Sequence, residues 1–380
     1  MARLGDVVQI EASSKSVVGD KFWLLNLDMV EQQTGNVIDY NYVGKDALNG
    51  SIIQFDTGCV LYSKLRPNLN KVVIPSKDGF ATSEMLPLRP NMKMLTREYL
   101  TVFLRSDSFV TWAVSKTAGA KMPRLGSKEL LGKEIPLPSI SEQMRIAGQF
   151  AKVDELIALR KEQLAKLDQL VKSRFIELFG NPVVNPKFWE TAPLSALIIN
   201  ANNGMARRGK DEGGNIVLRL VELQNGFIDY SAPNRICLNE TEKKRYELVD
   251  NDFLFARVNG NPDYVGRCAV FKSIEEPVFH NDHIIRVHFD ETKINGCFTS
   301  VLLNSDYGKR QMREQIKTSA GQYTISQDGI GAIVAILPPL ELQKQFATFV
   351  EQTDKSKLVI QQSLNKLELL KKSLMQQYFG

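Results

Sequence analysis

His280, Asp282 and His283, with His288 close behind, are the residues of this sequence whose types and spacing come nearest to a metal site. Two imidazoles and a carboxylate could hold a divalent cation if all three converged on one point. Alternation along a strand works against that, because it sends His280 and Asp282 to one face and His283 to the other. The four cysteines, Cys59, Cys237, Cys268 and Cys297, stand far apart with no close pair. Such spacing argues against a zinc ribbon or a redox pair and fits buried or half-buried free thiols in a reducing compartment. No metal is expected.

Asn261-Pro262-Asp263-Tyr264 resembles the box in which adenine methyltransferases grip an amino group with an amide and a backbone oxygen, but its third position differs. No glycine-rich strand-loop that would hold a methyl donor goes with it. The one Gly-x-Gly pair, Gly329 and Gly331, leads into Ile-Val-Ala-Ile-Leu-Pro-Pro rather than into a helix. We therefore read Asn261–Tyr264 as a turn. The sequence has no phosphate-binding GxxxxGK[ST] loop, no GxSxG elbow and no paired nuclease carboxylates around a lysine. No catalytic residue is assigned, and any chemistry is expected on a partner.

The elements that would position binding residues are announced by a repeat at an offset of 200. Leu137 to Gly180 aligns without a gap on Leu337 to Gly380. Pro138, Gln143, Ala147, Asp154, Leu164, Lys166, Leu167, Leu170, Lys172, Ser173, Phe179 and Gly180 all recur 200 positions later. Ile146, Phe150, Val153, Ile157, Leu164, Leu167, Val171 and Leu178 follow helical steps, broken by Arg160 and Arg174. The second copy is broken by Thr353, Lys357 and Lys371. That spacing with charged flanks predicts a coiled-coil helix from Gln143 to Leu178, roughly 54 Å long. Two long core helices of an ordinary bundle would show the same stripe.

A chain of 380 residues exceeds one ordinary core, and its 43% hydrophobic and 24% charged residues are those of a folded protein. The net charge of +5 suits a nucleic-acid partner without requiring one. The start, Met1 to Lys15, has no apolar run long enough for a signal peptide, and no stretch is long enough to span a bilayer. A cytoplasmic protein without membrane contact is expected. The segments ahead of the two helices share weaker parallels. Phe55 to Ile74 reads as two strands about a polar turn and matches Val249 to Phe271, with Lys64 against Arg257, Leu65 against Val258 and Asn68 against Asn261. Arg97 to Asp107 matches Asn295 to Asp306. The loop from Thr117 to Leu130 matches that from Thr318 to Ile330. The expected division is 1–136 and 181–336 as mixed domains, with 137–180 and 337–380 as spacer helices.

Across essentially all 380 residues the chain resembles the specificity subunits of type I restriction-modification systems. The resemblance is carried by Ile135 to Phe150 with the helix to Pro182, by Ala335 to Val350 with the helix to Gly380, and by Val60 to Ile74. It implies an α+β fold in which two target recognition domains, related by a pseudo-twofold axis, are held apart by a long antiparallel coiled-coil helix pair. Double-stranded DNA with a bipartite site would be read one half per domain. Two methyltransferase subunits and restriction (motor-nuclease) subunits would be partners, with S-adenosylmethionine bound by the methyltransferase subunit. The first domain begins at once, without the N-terminal segment of longer relatives, so fewer docking surfaces are expected. The DNA-binding candidates, chosen from polar turns and loops, are Lys64, Arg66, Asn68, Lys71, Lys121 and Arg124 in the first domain. In the second they are Arg207, Arg208, Lys210, Arg257, Asn259, Asn261, Gln322 and Tyr323. Two other classes stay open: a stand-alone adenine methyltransferase and a coiled-coil scaffold that never touches DNA.

Overall fold

The structure, a computed structural model, describes residues 1–14, 19–48, 51–119, 121–319 and 321–380. The chain divides into two compact units, Met1–Glu162 with Ile360–Gly380, and Gln163–Val359. Each long helix thus contributes to both units, whereas the sequence placed the helices in segments of their own.

In the first unit a four-stranded antiparallel sheet runs in the order Val8–Ile10, Met85–Pro90, Val60–Ser63, Val72–Val73. Every side chain of Val60–Ser63 is buried, because both faces of the sheet are covered. Val60 and Tyr62 enter a core with Leu100, Phe103, Phe109 and Phe150, while Leu61 enters another with Trp23, Leu25 and Phe55. The first core comes from helices Arg97–Leu104 and Asp107–Ser115, capped by the hydroxyls of Thr96 and Ser106. The second comes from a further sheet, Asn41–Val43, Phe22–Leu25, Gly79–Thr82, Ile52–Phe55, whose middle pair is parallel.

The second unit repeats that topology. Its main sheet runs Ile198–Asn203, Ile284–Phe289, Phe253–Ala256, Cys268–Val270. Phe253 and Phe255 face one core, and Leu254 and Ala256 face the other. Helices Gly296–Asn304 and Asp306–Gln315 stand where the first unit has its pair. The further sheet, Arg235–Ile236, Asn215–Leu218, Val278–His280, again contains one parallel pairing. The parallels between the halves are therefore borne out at the level of strand order.

The long helices span Ile140–Phe179 and Leu340–Phe379, an offset of 200 at both ends. Both begin a turn earlier than the apolar stripe suggests; in the first the hydroxyl of Ser139 accepts from Glu142 N at 3.3 Å and caps the first turn. Gly180, at φ +78°, ends the first helix, its N–H donating to the Ile176 carbonyl at 2.8 Å. The helices run antiparallel within each unit. In the first, Arg145 meets Tyr378, Asp154 meets Lys371 (2.7 Å) and Arg160 meets Ser363. In the second, Asp168 meets Lys357 (2.7 Å) and Phe175 meets Phe346. The polar breaks at Lys357 and Lys371 are thus cross-helix ion pairs. Thr353 bonds its own helix at the Phe349 carbonyl. Both sequence readings hold, for different stretches. The ends are core: Ile146, Phe150, Met375 and Phe379 in one unit, Val171, Phe175, Phe346 and Val350 in the other.

One repeated residue shows how a helix is fastened to its domain. Gln143 is fully buried, accepts from Thr96 N (2.9 Å) and donates to the carbonyls of Met94 (2.8 Å) and Pro138 (3.0 Å). Gln343, equally buried, accepts from Asn295 N (2.8 Å) and donates to those of Pro338 (2.8 Å) and Lys293 (3.4 Å). Thr96 and Asn295 are the N-caps of matching helices, so each amide locks a long helix to a short one.

Among the described residues no group of three or more His, Cys, Asp or Glu could hold a metal ion. No helix is long and apolar enough to cross a membrane. The thiols differ from expectation at one place: Cys59 and Cys268 are buried and Cys297 is intermediate, but Cys237 is exposed at the end of a short edge strand.

Candidate nucleic-acid interface

In each unit most of the candidate residues gather where the end of a main-sheet strand meets the loop that precedes the long helix. Two backbone bonds define the frame. Lys64 N donates to the Glu84 carbonyl (3.0 Å) and Leu125 N to the Lys64 carbonyl (2.9 Å). In the second unit Arg257 N donates to the His283 carbonyl (2.7 Å) and Ile325 N to the Arg257 carbonyl (2.9 Å). Lys64 and Arg257 are therefore equivalent, as are Glu84 and His283. The frame is shared, and the side chains on it differ.

In the first unit Arg66 (φ 49°) and Asn70 (φ 50°) take left-handed backbone conformations at either end of the Pro67–Leu69 turn. This turn exposes Arg66 and Asn68. Arg66 N donates to Pro123 O at 2.8 Å, tying the turn to the loop that carries Lys121 and Arg124. The Arg124 fork closes on Glu84, with Nε 3.1 Å from both oxygens and an end nitrogen at 3.0 Å. Glu84 holds the Arg124 guanidinium above its ordinary range. Lys121 is exposed. Lys71 stands apart: its ammonium turns inward to the Leu27 carbonyl at 2.5 Å, and desolvation lowers its pKa. Ala120 and Ala320, within the two matched loops, lie outside the described residues.

In the second unit the matched loop is not a loop. Lys317–Ser319 and Gln322–Thr324 pair as strands, and Val258–Asn259 adds a third, with Asn259 opposite Tyr323 and Ser319 opposite Gln322. The polar, glycine-bearing composition hid this small sheet. Beyond the local hairpin, Gln322–Thr324 gains a second pairing from a partner some 60 residues away, which local pattern cannot show. Beside it, Arg208 donates to Asp282 Oδ1 (2.5 Å) and to His283 Nε2 (3.0 Å), and Arg257 to the Asp282 carbonyl (3.1 Å). Desolvation, then the nearby Arg208, lower the pKa of His283, so its Nε2 stays available as the acceptor. Asp282 and His283 are thus in the site, positioning two arginines rather than a metal.

Asn261 caps the Pro262–Tyr264 turn by accepting from Asp263 N at 3.0 Å, as expected for a turn rather than a catalytic box. Lys210 is exposed in the loop after Arg208. Arg207 leaves the cluster and pairs with Glu242 (3.2 Å) and the Cys237 carbonyl. His280 is fully buried on its strand with Nδ1 3.2 Å from the Tyr246 carbonyl, and His288 pairs with the buried Asp252 at 3.1 Å. The sequence did not single out Glu84, and it offered Asp282 and His283 only as metal-ligand candidates, not as partners of the candidate arginines. The turn ahead of each strand, Ser83-Glu84 and Asn281-Asp282-His283, was the available signal.

The fold is one of two like α+β units that share a backbone frame and carry different polar side chains on it. Residues 1–169 match the profile of the type I restriction modification DNA specificity domain. The chain is 31% identical over 280 residues to the type I restriction enzyme StySPI specificity subunit of Salmonella potsdam, covering 70% of this chain and 60% of that protein. It is 26% identical over 282 residues to the EcoKI specificity subunit of Escherichia coli K12, with the same coverage. The aligned region thus spans about 60% of the length of these relatives. A solved type I restriction-modification S subunit from M. genitalium superposes with a TM-score of 0.60 at 14% identity, over 100% of this chain and 95% of that one. That likeness is one of fold.

Proposed function

We propose that this chain is the non-catalytic specificity subunit of a type I restriction-modification complex, reading a bipartite duplex with one half-site per domain. The domains are 1–136 and 181–336, and the helices of 137–180 and 337–380 are the spacers. The observation that supports this most is the shared frame with different side chains. Lys64, Glu84 and Arg124 in one unit stand where Arg257, His283 and Thr324 stand in the other. Two readers of different DNA words need the same scaffold and unlike base-facing groups.

Arg66, Asn68, Lys121 and Arg124 serve the first half-site, with Lys64 supporting the turn. Arg208, Arg257, Asn259, Gln322 and Tyr323 serve the second, with Asn261 and Lys210 at its margin. Amides and arginine forks suit base edges, and lone lysines suit phosphates. Lys71 and Arg207 have structural partners and contribute least. Two methyltransferase subunits, which carry S-adenosylmethionine, and restriction subunits complete the complex.

Selection from a random duplex library with the assembled complex tests the reading. It should return two short words about one helical turn apart, ~10 bp between centres. A single unbroken word, or no enrichment, contradicts it.

A further inference from the structure

The helix Asp306–Gln315 and the strand that follows it carry Lys309, Arg310, Arg313 and Lys317, all exposed. At about 100° per residue the three helical ones fall within a single sector of about 100°. The opposite side of the helix is fixed inward. Met312 and Gly308 are buried, Tyr307 donates to the Val334 carbonyl (3.0 Å), and Gln311 both donates to and accepts from Val334. The basic face therefore has one orientation. Among the described residues, Lys309, Arg310 and Lys317 have no carboxylate within ion-pair distance, although the exposed Asp306, one turn earlier, shares their sector and Glu314 lies just beside it.

Two contacts join this face to the reading sheet. Lys317 is the first residue of the sheet's edge strand, opposite Thr324. Arg313 reaches Asp263 at 2.6 Å, in the turn that follows Asn259 and Asn261. Both members of that pair are more than half exposed. Such a pair is worth little in water, and its arginine can exchange a carboxylate for a phosphate at small cost.

We propose that Lys309, Arg310, Arg313 and Lys317 form a phosphate-binding strip that anchors the second reader on the duplex backbone beside the bases it reads. The strip is peculiar to that domain. The matching helix of the first unit, Asp107–Ser115, is Asp-Ser-Phe-Val-Thr-Trp-Ala-Val-Ser, with no basic residue until Lys116 beyond its end. The two readers are accordingly unequal. The second contributes more of the salt-dependent affinity, and the first depends more on its base contacts. This rests on the DNA-reading function proposed above.

The test is fluorescence anisotropy of a labelled random-sequence duplex with the full chain in its methyltransferase complex, over roughly 50 to 200 mM salt. The variant is Lys309→Gln/Arg310→Gln/Arg313→Gln, with circular dichroism to establish that it is folded. Each lost phosphate contact removes about 0.9 from the slope of log affinity against log salt, so the triple variant should be shallower by about 2 to 3. A folded variant with the wild-type slope overturns the strip but leaves DNA reading intact. The same slope with loss of the methyltransferase would assign the face to an acidic protein surface, which also overturns it. Absence of duplex binding by the wild-type complex would remove the functional proposal itself.

Discussion

At the residue scale, the Glu84–Arg124 pair is informative because it places a carboxylate where DNA phosphates are expected to approach. Glu84→Gln keeps the hydrogen-bonding shape and removes the charge. Non-specific duplex affinity at low salt should rise about fivefold, the order of one exposed charge interaction. An unchanged anisotropy curve would show that this loop does not approach the backbone. His280 makes a separate prediction about stability. Burial pushes its imidazole down to about 4, although the Tyr246 carbonyl partly opposes the shift. The unfolded chain binds a proton below about 6.5 while the fold does not, so stability falls as pH drops from there towards 4. Between pH 6.5 and 5 the loss should be about 2 kcal/mol in urea unfolding, and His280→Gln should remove most of that slope. Composition could nominate Arg208 and Arg257 as polar loop residues. It could not reveal that Asp282 and His283 hold them, since those partners join through a turn some 25 to 75 residues away.

At the element scale, the long helices were the most legible feature. A stripe of apolar residues is a local property, and its recurrence after 200 positions fixed both helices to within a turn. The repeated glutamine was visible too, but not its purpose. Gln143 and Gln343 are latches, each bonded to backbone groups 47 to 50 residues earlier in the chain or beside the helix start. Gln343→Leu should leave Asn295 N and the Pro338 carbonyl buried without partners, costing about 1 to 3 kcal/mol. Thermal melts would measure it, and Gln143→Leu should do the same in the first unit. A loss below a few tenths of a kcal/mol in both would show that the helices are held by apolar packing alone. The Gln322–Thr324 hairpin was illegible for the opposite reason. Its residues have turn composition, yet Gln322–Thr324 pairs on one side with Lys317–Ser319 and on the other with the distant Val258–Asn259.

At the scale of the whole molecule, two units of one topology carry unlike surfaces. Their common strand order was foreshadowed by Lys64 matching Arg257 and Leu65 matching Val258, which the shared backbone bonds now explain. The division that the structure draws through the middle of both helices was not, because a continuous helical pattern has no seam at Glu162 or Val359. If the helices set the distance between the readers, removing matched heptads from both should shorten the preferred gap or abolish binding. The most direct measurement of the central claim is modularity. Arg257→Ala/Asn259→Ala/Tyr323→Ala, in the assembled complex, should be put through selection from a random duplex library beside the wild type. One word of the bipartite site should blur, by about 1 to 3 kcal/mol per lost base contact, while the other stays unchanged. Equal blurring of both words would contradict the account.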